Sequence, residues 1–215
     1  MLELALAAAA LAVAAAFQPW AVLRAAPLRA PWIAAVVVLP LLWASQARLP
    51  AALPAQLSGA CLLVLMFGWP LAIVTLALAA GGAALLAGGG WERSASLAAW
   101  SGAVPATLAL GIGVAIRRWV PRHVFVYILG RAFVGTAAAA GIAGALRLAC
   151  APSLAPGPGE AGVMLTAEWL VSWGEAFMTG ALAAVFVAFR PEWLLTWSDA
   201  RYLPPPRPSS AHVER

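Results

Sequence analysis

The sequence predicts an all-α, polytopic transmembrane helical bundle of about seven spans with its N-terminus outside, and three observations predict it. The chain of 215 residues is 64% hydrophobic and only 10% charged, with a mean hydropathy of +0.90, far above a soluble domain of that size. Its apolar runs are much longer than the roughly 10-residue alternating strands of a membrane barrel. Hydrocarbon leaves backbone N–H and C=O groups without partners, so segments of this kind have to cross as helices.

The runs extend from about Leu2 to Val22, Pro31 to Ser45, Leu53 to Leu86, Ala95 to Ile116, Val124 to Ala149 and Gly162 to Phe189. The first is expected to remain as a helix. Small residues before Phe17 would suit a signal peptidase, but the start Met1-Leu2-Glu3-Leu4 lacks the basic region of a signal peptide. The third run exceeds the about 20 residues that one crossing takes, and Gly68-Trp69-Pro70 interrupts it near its middle. It reads as two short helices, which brings the count to seven.

The distribution of arginine supports that count. Seven spans place Arg24, Arg29, Arg117, Arg118, Arg122, Arg190, Arg201, Arg207 and Arg215 in the cytoplasm, and Arg48, Arg93 and Arg147 outside, with Arg131 inside a span. If 53–86 crossed once the bundle would have six spans, and the cluster Arg117, Arg118, Arg122 would move outside against the positive-inside rule. Residues 1–203 form a single helical domain on this reading. Residues 204–215, rich in proline and polar, form a disordered cytoplasmic tail.

Composition excludes several chemistries. The chain carries no lysine, so a phosphate-loop lysine, a kinase lysine and a Schiff-base lysine are all missing, and GGAALLAGGG at 81–90 is no nucleotide cradle. Serines beside glycines at Leu57-Ser58-Gly59 and Trp100-Ser101-Gly102 lack a histidine at membrane depth to activate them. His123 and His212 stand apart from other metal-ligating residues, and Cys61 and Cys150 read as small apolar residues without ligand spacing. The expectation is a protein that is not an enzyme, holds no cofactor and draws energy from a partner or an ion gradient.

Ionisable residues inside spans are costly enough to be functional candidates by default. Glu175, in GEAFMTGALAAVFVAFRPEW at 174–193, lies seven residues after Glu168 and so on nearly the same helical face. It either lines a polar cavity, binding a cation or pairing with an arginine, or makes a buried structural contact. Arg131, in the inner half of the preceding span, is its candidate partner. Alanine-rich stretches at 7–16 and 135–145 allow close helix packing, and the first helix is the candidate face for a neighbouring membrane subunit.

Four stretches resemble the permease or substrate-binding membrane subunits of energy-coupling-factor ABC transporters, of the cobalt/nickel type and its little-characterised bacterial relatives. LPAQLSGACLLVLMFGWPLAIVTLAL at 53–78 looks like that family's histidine-leucine-leucine-glycine segment with its Gly-x-Pro break, and SGAVPATLALGI at 101–112 like its Val-Pro segment. WVPRHVFVYILGRAFVGTAAAA at 119–140 and GEAFMTGALAAVFVAFRPEWLLTWSDARYL at 174–203 resemble the arginine-flanked start of one family helix and the C-terminal helix. The resemblance implies a subunit of the bacterial inner membrane. It would capture a divalent metal ion, cobalt or nickel, and dock on a transmembrane coupling subunit driven by cytoplasmic ABC ATPases.

Carried over residue by residue, the resemblance departs from the pattern at the metal. The chain begins Met1-Leu2-Glu3 where metal-binding members have Met-His, Gln56 stands where the second histidine would be, and Leu97 replaces an asparagine. A carboxamide binds nickel or cobalt more weakly than imidazole. The substrate-binding candidates are therefore Gln56, Glu175 and Arg131, the docking candidates are Arg190, Glu192 and Arg201, and no metal ligand is assigned. Two other readings stay open: a membrane scaffold or assembly factor that no longer transports, and a cation-coupled secondary carrier, for which no inverted repeat is visible.

Overall fold

A computed structural model describes residues 1–24, 26–46, 57–121, 123–150 and 160–202, and among them every regular element is a helix. Helix α1 is Leu2–Ala16, followed by a 3₁₀ turn at Pro19–Arg24, and α2 is Ala26–Gln46. Helix α3 covers Ala60–Leu86, α4 Trp91–Trp119, α5 Val126–Cys150 and α6 Ala161–Phe189. A 3₁₀ turn at Pro191–Trp193 and the short α7, Asp199–Tyr202, close the described chain.

The break in α3 organises the bundle. Gly68 has φ 74 and ψ 164, a backbone conformation open essentially to glycine alone, and Pro70 two residues on has no N–H to continue the ladder. Ser58 before the break and Leu76 after it meet the same turn of α4: the Ser58 hydroxyl donates to the Ser101 carbonyl (2.6 Å), and Leu76 lies against Gly102. In one straight helix those 18 positions would separate the two residues by about 27 Å. The chain therefore doubles back at Gly68, and the arms 60–67 and 69–86 lie side by side.

Helix α2 registers both arms. Leu39 packs against Gly59 at the start of the first arm, and Pro40 against Gly82 in the second. Trp32 donates its indole N–H to Thr75 Oγ1 (3.0 Å), so the second arm runs in the same direction as α2 and the first arm runs against it. The carbonyls freed at the break find donors elsewhere. Leu195 N–H bonds Met66 O (2.9 Å), while Thr196 reaches Leu65 O through its N–H (3.3 Å) and its hydroxyl (2.9 Å). The segment after α6 thus closes the bend, and beside it Trp197 stacks on Tyr202 while Tyr127 packs edge-on against Trp197.

The all-helical architecture is the one the sequence predicts. Five helices are long and apolar enough to cross a membrane: Pro27–Gln46, Ala60–Leu86, Trp91–Trp119, Val126–Cys150 and Ala161–Phe189. Their outer faces expose Val37, Val38, Leu41, Phe177, Val185 and Phe189, which fits a multi-pass membrane protein with lipid around it. Five is a count by length and composition that takes α3 as one helix and leaves out α1, whereas the sequence count of about seven splits α3 at its break and includes α1. At 1.5 Å per residue the 15-residue α1 is about 22 Å long and the first arm of α3 about 12 Å, both short of the roughly 30 Å hydrocarbon core.

Gly68→Ala places a side chain in a glycine-only conformation with its Cβ 3.2 Å from Leu195, and is expected to cost about 1–3 kcal/mol. Gly81→Ala, where nothing stands within 4 Å of the added carbon, is expected to gain roughly 0.5–1 kcal/mol. Unfolding midpoints of the two variants in the same detergent, moving in opposite directions, check the bend.

Candidate functional site

The first arm of α3 begins inside the bundle, beside residues of α4, α5 and α6, and that start forms the candidate site. A helix start leaves its first N–H groups without intrahelical acceptors, and within a bilayer no bulk water can take their place. Ser58 is buried, and Gly59 has φ 72, a left-handed conformation that aims both of their amides away from the arm. Glu175 reaches across from α6 to meet them. Its Oε2 accepts the Ser58 N–H and its Oε1 the Gly59 N–H, each at 3.0 Å. The Ser58 hydroxyl accepts the Ala60 N–H (3.0 Å) while donating to Ser101 O.

A carboxylate is the acceptor best suited to this place, because its charge opposes the positive end of the helix dipole and its two oxygens take one amide each. The local winding of α4 supplies the neighbouring acceptor. Residues Leu97–Ala103 form a π-helical stretch that includes Ser101, a distortion that recurs at functional sites. Indole donors complete the surroundings of the loop: Trp43 Nε1 bonds the carbonyls of Leu57 (3.1 Å) and Ser58 (3.2 Å).

The face shared by Glu168 and Glu175 is buried, as their spacing predicts, and Ser172 and Thr179 lie on it too. Glu168 forms an ion pair with Arg147 of α5, and both side chains are nearly inaccessible. Between this pair and Glu175 lies a cavity of about 30 Å³ lined by Ser58, Ser101, Arg147, Glu168, Ser172 and Glu175. That volume is enough for a single water molecule or a small ion in a polar wall. Among the described residues no group of three or more His, Cys, Asp or Glu side chains converges as a metal site. A further acid contact is separate, with half-buried Glu3 of α1 accepting from Ser96 (3.1 Å) and Trp100 (2.9 Å).

Arg131 does not pair with Glu175. Helices α5 and α6 run antiparallel, with Gly141 against Ser172 and Gly180 against Phe133, which sets Glu175 level with about residue 138. Arg131 lies seven positions away, roughly 10 Å along the axis. It is buried in the π-helical opening of α5, Val126–Val134, with its guanidinium carbon 5.8 Å from the centre of the Tyr127 ring. Gln56 lies outside the described residues. Arg190 and Glu192 form an exposed ion pair at 3.5 Å, with the Arg190 guanidinium over Trp193, while Arg201 belongs to α7.

Sequence reasoning missed the Ser58 and Gly59 amides and the Arg147–Glu168 pair. The amides carry no residue-type signature, and Arg147 was counted among the outside arginines. A signal for the second was nevertheless present, since Arg147 and Glu168 close the facing ends of consecutive apolar runs. His123 has a local role: its Nδ1 accepts the Phe125 N–H (3.2 Å) and its ring stacks on Phe125 at the start of α5. Cys61 is buried and Cys150 exposed, and both thiols are free.

Compared with known proteins, the chain matches no family model, no curated protein and no solved structure.

Glu175→Ala leaves two buried amides without an acceptor and is expected to lower stability by roughly 2–4 kcal/mol, with Glu175→Gln about half as damaging because one carbonyl oxygen remains. Denaturant midpoints in detergent measure the series; equal losses for Ala and Gln would show that charge rather than acceptor capacity matters. Truncating Arg147 alone is expected to cost about 3–5 kcal/mol by stranding a buried carboxylate, and Arg147→Met with Glu168→Leu to restore most of it.

Proposed function

We propose that this chain is the permease or substrate-capture membrane subunit of an energy-coupling-factor-like ABC importer in a bacterial inner membrane. The observation that carries the proposal is the re-entrant arm of α3, whose start is held inside the bundle by Glu175 next to a polar cavity. Interrupted helices whose ends point at a buried polar site are a common means by which transporters handle solutes within the bilayer. The resemblance of 53–78, 101–112, 119–140 and 174–203 to that importer family supports the same reading.

In this reading the N-terminus faces outside and the arginine-rich end, with Arg117, Arg118 and Arg190, faces the cytoplasm, following the positive-inside rule. The solute enters from the Glu168 end. The donor set disfavours cobalt or nickel, because both Glu175 oxygens already accept amides and Glu168 is neutralised by Arg147, and a small polar solute in their place requires the cavity of about 30 Å³ to widen. The docking surface for a transmembrane coupling subunit and its ATPases is the end bearing Arg190, Glu192 and Arg201. A scaffold that no longer transports is the second reading, favoured by a cavity of only about 30 Å³.

Gentle purification from the native membrane tests the proposal. An ABC ATPase and a second membrane subunit are expected to co-purify, and their absence after in-membrane crosslinking would favour the scaffold. Arg190→Ala and Glu192→Ala remove an exposed ion pair worth at most about 1 kcal/mol, so the chain should stay folded. Recovery of the ATPase is expected to fall several-fold in both variants while the unfolding midpoint hardly moves.

A further inference from the structure

At the opposite end of the bundle from the Arg147–Glu168 pair lies a second cavity, of about 320 Å³, lined by Arg117 and Arg118 of α4, Tyr127 and Arg131 of α5, and Tyr202 of α7. Among the described residues no acidic side chain contributes to its wall. Arg131 is only 6% exposed, yet its Nε and Nη1 have no hydrogen-bond partner. The ion pairs among the described residues are Arg147–Glu168 and Arg190–Glu192, and neither involves this group.

A buried guanidinium without a counter-charge is among the most costly arrangements a protein can hold, and Arg117 and Arg118 add like charge at the same opening. The local backbone accommodates it all the same. A Cβ on Gly113 would stand 2.8 Å from Arg131 Nε, so glycine there leaves room for the guanidinium, and the π-helical winding of Val126–Val134 carries the side chain. The guanidinium therefore keeps N–H capacity that no acceptor among the described residues uses, and its positive charge, with those of Arg117 and Arg118, makes the cavity a favourable place for an oxyanion.

We propose that Arg131, with Arg117 and Arg118, forms an anion site that takes a phosphate group, presented by an anionic phospholipid headgroup or by a phosphate-bearing solute. The cavity is large enough for a phosphate and the group it is attached to. Trp119, Val120 and Phe125 expose apolar surface at the same end of α4 and α5, and arginines at helix ends commonly meet lipid phosphates there. The site is separate from the Glu175 cavity and independent of the importer reading.

The test uses the delipidated full chain in a neutral detergent. Thermal unfolding is followed with inorganic phosphate, with potassium chloride at matched ionic strength, and in bilayer discs of phosphatidylcholine alone or mixed equally with phosphatidylglycerol. Stabilisation by phosphate beyond the chloride control identifies a site for free phosphate; stabilisation confined to phosphatidylglycerol identifies the headgroup. Arg131→Gln is expected to weaken that binding about tenfold or more, and without either anion to be no less stable than the parent. Arg117→Gln with Arg118→Gln, two exposed positions, should weaken binding without touching the fold, and keeps the test open if Arg131→Gln folds poorly. No stabilisation by either anion, or stabilisation that persists in a folded Arg131→Gln or in the double variant, would overturn the proposal.

Discussion

The structure depends on one requirement: a helix that starts inside the bundle must find acceptors for its first amides. The arm 60–67 begins beside residues of α4, α5 and α6, so water at the membrane surface does not serve it. Glu175 and Ser58 do. Once those bonds fix the start, the arm can be short, and Gly68 can turn the chain after about 12 Å. The second arm then returns between α2 and α4, where Thr75, Gly82 and Leu76 find their contacts. The far end of the first arm has the complementary need, and Leu195 and Thr196 donate to its freed carbonyls. A single bend is thus held at one end by a side chain of α6 and at the other by the backbone that follows α6.

This dependence explains which parts were legible in the sequence. The bend was, because Gly68 and Pro70 are residues whose local geometry differs from all others. The inward face of α6 was, because the seven-residue spacing of Glu168 and Glu175 returns to one side of a helix. The partner of Glu175 was not. Arg131 looked suitable because it is the one arginine within a neighbouring span, but suitability of charge says nothing about depth. The packing of Gly141 on Ser172 and Gly180 on Phe133 fixes depth, and it sets the two charges roughly 10 Å apart.

The two intramembrane charges consequently have different surroundings. Glu175 is surrounded by donors, one amide on each oxygen, and its neighbour Glu168 is matched by Arg147. That end of the bundle is internally satisfied. Arg131 sits among tyrosines and other arginines, with two guanidinium nitrogens left over. Had Arg131 lain two turns deeper it would have met Glu175, and the amides of Ser58 and Gly59 would have had to share their acceptor.

The offset therefore keeps two functions from cancelling. Neutralising Glu175 with a cation would draw its oxygens away from the arm of α3, weakening the contact on which the bend rests. Neutralising Arg131 with a carboxylate of the chain would fill the cavity from within. With neither seen among the described residues, the acid is committed to folding and the base keeps two buried nitrogens without a partner beside a cavity lined by arginines. An intramembrane charge is a pointer to function only after its internal partners are known, and of the two candidates Arg131 has fewer of them than Glu175.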